Sequence, residues 1–86
     1  MNISALEQYV DGKNRWGALF GDRPLSLLNA ADRQKIAHSI DADLSPENLS
    51  CDGELRPNQV RSKYDFLTRV ASELKSIDPQ VEFYEI

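Results

Sequence analysis

The chain has 86 residues, 41% of them hydrophobic and 28% charged, with 14 acids against 10 bases and a net charge of −4. One Cys and one His exclude an internal disulfide framework and a zinc site built from Cys and His alone. The length suits a single domain with a modest core, and no apolar run approaches the roughly 18 residues of a membrane span.

The first predicted element is a helix over residues 4–20. Ser4 and Glu7 have the spacing of a capping box, in which each side chain satisfies a free backbone N–H. Leu6, Tyr9, Val10, Lys13, Trp16, Gly17 and Phe20 then recur near a 3.6-residue period. Gly12 is an unfavourable interior residue, and Gly21 is placed as the stop. Pro24 follows in a loop and keeps Arg23 out of the helical region.

A second helix is predicted over residues 30–40, capped by Asn29 with Asp32 in its first turn, where the helix dipole favours an acid. Ile36, Ala37 and Ile40 form its apolar stripe, and Leu25, Leu27 and Leu28 ahead of it read as core.

Residues 41–55 read as an acidic connector that carries Asp41, Asp43, Glu47, Asp52 and Glu54 without a Lys or Arg. Inside it Ser45, Pro46 and Glu47 suit the start of one helical turn, and Leu44 and Leu49 occupy the positions of a hydrophobic staple. Asp52-Gly53 signals a tight turn. The spacing of Asp41, Asp43, Ser45, Glu47 and Asp52 superficially resembles a calcium-binding loop. Pro46 replaces the glycine that its sharp turn needs, and Asp52 replaces the bidentate Glu, so capping and solvation explain the acids better. No metal or cofactor site is expected.

The clearest element is a helix over residues 57–77, opened by Pro57 and closed by Asp78-Pro79. Val60, Tyr64, Leu67, Val70, Ala71, Leu74 and Ile77 form its apolar face. Arg61, Asp65, Arg69 and Glu73 form an i,i+4 ladder of alternating charge, which marks a solvent face. Residues 81–86 are β-prone and read as a short strand or a docked segment.

The expected fold is mainly α: a single-domain bundle of three principal helices with a short helical turn and a candidate short strand. The predicted core is Leu6, Val10, Phe20, Leu28, Ile36, Ile40, Val60, Tyr64, Leu67, Ala71 and Leu74.

His38 and Cys51 form no recognisable nucleophile–base pair beyond being present, and a small helical domain leaves little room for a pocket that separates two carboxylate pKa values. The expected function is therefore non-catalytic: a cytoplasmic protein–protein interaction module, an adaptor or an inhibitor of a basic partner surface. An uninterrupted acidic stretch would steer such a partner. Asp41, Asp43, Glu47, Asp52, Glu54, Phe66 and Tyr84 are the candidate partner-binding residues, with Trp16, Phe20 and Phe83 as further aromatic anchors. The alternatives are a self-associating homodimer and a nucleic-acid-associated protein that uses Arg61, Lys63, Arg69 and Lys75. The latter is disfavoured because Asp65 and Glu73 interrupt the basic face and weaken phosphate contact. No membrane partner is expected.

Overall fold

The computed structural model describes residues 4–20, 24–50 and 56–85. Among these residues the chain forms four α-helices, α1 (Ser4–Arg15), α2 (Ala30–Leu44), α3 (Pro46–Ser50) and α4 (Pro57–Ile77), with a 3-10 turn at Leu25–Leu27 before α2. The fold is mainly helical and no strand is present among the described residues. No helix among them is long and apolar enough to cross a membrane. α4 is the organising element, because α1, α2 and α3 all pack against it. The core joins Leu6 and Val10 of α1, Ile36, Ala37, Ile40 and Leu44 of α2, and Leu67, Val70, Ala71 and Leu74 of α4.

α4 has the predicted bounds. Pro57 occupies its first turn, and the Gln59 Oε1 accepts the Arg56 N–H at 2.9 Å. Two predicted core residues of α4 lie outside the core: Tyr64 is exposed and Val60 is only half-buried, because both fall at the rim of the apolar arc. The ladder also differs at one end. Arg61, Asp65 and Arg69 are exposed, but Glu73 turns inward and its Oε1 accepts the N–H groups of Ala5 and Leu6 at 3.1 and 3.4 Å. The first N–H groups of a helix have no intrahelical acceptor, so Glu73 closes the first turn of α1 from 68 residues away.

α1 ends five residues earlier than the period predicts, at Arg15 rather than residue 20. Gly17, at φ 89°, is the stop. Its N–H bonds to the Asn14 carbonyl at 3.0 Å, and the Ala18 N–H bonds to the Lys13 carbonyl at 2.9 Å. This is a Schellman closure, whose left-handed position glycine occupies without a Cβ penalty. The expected stop at Gly21 lies outside the described residues. The Asn14 Oδ1 accepts the Phe20 N–H at 2.7 Å and turns the buried Phe20 inward.

α2 is four residues longer than expected. The Asn29 Oδ1 accepts the Asp32 N–H at 2.8 Å, as the cap predicts. At its other end the helix runs through Asp41, Ala42, Asp43 and Leu44 and stops where Pro46 holds Ser45 extended at ψ 146°. Leu44 thereby completes the stripe of Ile36 and Ile40. The Ser45 hydroxyl donates back to the Ala42 carbonyl at 2.9 Å, while the Ser45 carbonyl accepts the Leu49 N–H at 2.8 Å. Leu44 is buried, and Leu49 packs half-buried against the core.

After α4 the chain turns at Asp78, whose Oδ1 accepts the Gln80 N–H at 3.1 Å. Residues 81–83 then run without regular secondary structure and the chain bends at Tyr84, so this segment is not a strand. Apart from the Val81 N–H, which bonds to the Asp78 carbonyl at 3.2 Å, the hydrogen bonds of its backbone go to side chains of α2 and α4. Val81 is buried at 2% exposure, Phe83 is half-buried, and Glu82 and Tyr84 face outward. This is the two-residue alternation of an extended chain, realised here as a strap across two helices.

Candidate partner-binding surface

The acids of the 41–55 stretch do not form one surface. Asp41 is 8% exposed, and its carboxylate accepts the N–H groups of Tyr84 at 2.9 Å and Glu85 at 3.1 Å. Asp43 is half-buried; its Oδ2 accepts the Tyr9 hydroxyl at 2.7 Å and pairs with the Lys13 ammonium at 2.8 Å. The Tyr9 oxygen also lies 2.8 Å from the Ser39 hydroxyl, and Lys13 sits 5.5 Å over the Tyr9 ring. Burial holds the Tyr9 hydroxyl far above its ordinary pKa, and the Asp43 carboxylate adds to the effect, so it remains a neutral donor that ties α1 to α2. Both acids are thus engaged within the fold. Glu47 is exposed on α3, whereas Asp52 and Glu54 lie outside the described residues.

The two aromatic candidates are also placed. Phe66 packs half-buried against the core. Tyr84 is exposed; its ring stacks on exposed His38 at 6.5 Å between centroids, and its hydroxyl donates to the Glu82 carboxylate at 3.1 Å. That carboxylate holds the Tyr84 pKa above its ordinary value. His38 has thus an aromatic neighbour, and Cys51 lies outside the described residues. Among the described residues no group of three or more His, Cys, Asp or Glu side chains is arranged to hold a metal ion.

The basic residues of α4 are divided. Lys63 donates to the Asn48 carbonyl at 2.7 Å and Lys75 to the Val81 carbonyl at 2.7 Å, while Arg61 and Arg69 are exposed.

Three large apolar side chains are exposed in one connection, and two of them, Trp16 and Leu27, are expected from the sequence to be buried. Trp16 is 89% exposed, Leu19 75% and Leu27 62%. All three belong to the connection between α1 and α2, whose Phe20, Leu25 and Leu28 are buried. The Schellman closure at Gly17 takes Trp16 off the apolar stripe of α1. Leu19 has φ 46°, a left-handed conformation that costs a branched residue free energy. The 3-10 turn holds Leu25 and Leu27 on different sides, one buried and one exposed.

The sequence pattern leaves Leu19 unmarked and places Leu27 with the core. Three leucines in four positions cannot all face inward along an irregular segment, and that is the local signal for Leu27. Gln34 of α2, which pairs with the strap, was also not anticipated, and its partner 48 residues away leaves no local signal.

The fold and these contacts define a small helical bundle with a side-chain-held strap. No family model, no curated protein and no solved structure matches the chain.

Proposed function

We propose that this chain acts without catalysis, by binding another protein through the apolar side chains of the α1–α2 connection. The observation that carries the reading is the exposure of Trp16, Leu19 and Leu27 together in one connection. Apolar residues scattered singly need no explanation, but a concentration of them does. Trp is also the residue type most enriched among binding hot spots. The strained backbone at Leu19 supports the same reading, since such conformations persist where function requires a side chain to be presented.

The net charge of −4 favours a partner with a basic surface, which it would attract and orient. With Asp41 and Asp43 engaged inside the fold, the charge steers the partner and the apolar residues hold it. An adaptor and an inhibitor are both compatible with this division.

The test is affinity capture with the purified chain, in parallel with Trp16→Ser and Leu27→Ser variants. The expected result is a stoichiometric partner with a basic net charge that the unaltered chain retains and both variants lose. Capture that is indifferent to the two substitutions would refute the reading. A dimer that forms with concentration and is abolished by Trp16→Ser would assign the face to a second copy instead. A duplex shift at low salt that survives both variants would favour the nucleic-acid alternative.

A further inference from the structure

We draw no further inference here: the strongest candidate, the open cleft of about 300 Å³ that Phe83 forms with Thr68, Ala71, Ser72 and Lys75 of α4, carries nothing, because the Lys75 ammonium already bonds to the Val81 carbonyl and nothing in the structure shows what covers the cleft.

Discussion

The α1–α2 connection and the strap over 81–85 are both irregular, and they are held in different ways. The connection is anchored by buried Phe20, Leu25 and Leu28 and leaves Trp16, Leu19 and Leu27 outside. The strap has one fully buried anchor, Val81, with Phe83 packed half-buried against the core, and its backbone is fixed by Gln34, Asp41 and Lys75. Apolar anchoring specifies which side chains go in and leaves the others free to act. Backbone anchoring specifies the path of the chain and leaves the outward side chains unconstrained.

Substitutions that distinguish these two modes make the comparison testable. The largest effect is expected at Val81. Val81→Asp places a carboxylate in a site that is 2% exposed, and it lowers the unfolding free energy by about 3 kcal/mol in denaturant titration. Asp41→Ala comes next. It removes the acceptor of two strap N–H groups, with a cost of about 1.5 kcal/mol and faster amide exchange confined to Tyr84 and Glu85. An unchanged exchange pattern would mean that the strap is held by its side chains after all.

A smaller, pH-gated effect is expected at the Asp78 turn. Arg33 pairs with the Asp78 carboxylate at 2.6 Å and also donates to the Leu28 carbonyl. The Arg33 guanidinium holds the Asp78 pKa below its ordinary value of 3.8. A depressed carboxylate contributes stability above its unfolded pKa and loses it as pH falls through the folded value. Stability should therefore decline below about pH 4, and Arg33→Met should flatten that part of an acid titration. The smallest effect is at Trp16. Trp16→Ser changes the melting free energy by less than about 0.5 kcal/mol while removing partner capture. A large loss of stability would show that Trp16 is structural and would erase the contrast with Val81.

Legibility from sequence follows the range of the interactions. α4 was legible because its signals are local: Pro57 opens it, Asp78-Pro79 closes it, and seven apolar residues mark one face. The Asn29 cap is equally local. The end of α1 was not, because Trp16 and Phe20 continue the 3.6 period past Gly17, and composition does not say which glycine will take the left-handed position. The end of α2 was hidden by charge. Asp41 and Asp43 belong by composition to an acidic connector and by structure to a helix. Each finds its partner far away in sequence, 43 residues on for Asp41 and 34 back for Asp43. Their removal from the candidate site has the same cause. The exposure of Trp16 and Leu27 was concealed by the reasonable expectation that a small domain buries every large apolar residue it has.

The bond between Glu73 and the first turn of α1 bears on the order of assembly. Helix α1 emerges from the ribosome before α4, and the carboxylate that receives the Ala5 and Leu6 N–H groups is translated 68 residues after Ala5. A nascent chain that has reached only α2 or α3 leaves those donors to water and the α1 stripe without α4 to cover it. Closing so long a loop carries an entropic cost before any packing offsets it. Cooperative folding thus awaits the completion of α4, and a truncation before Glu73 removes a cap from the first helix as well as a turn from the last.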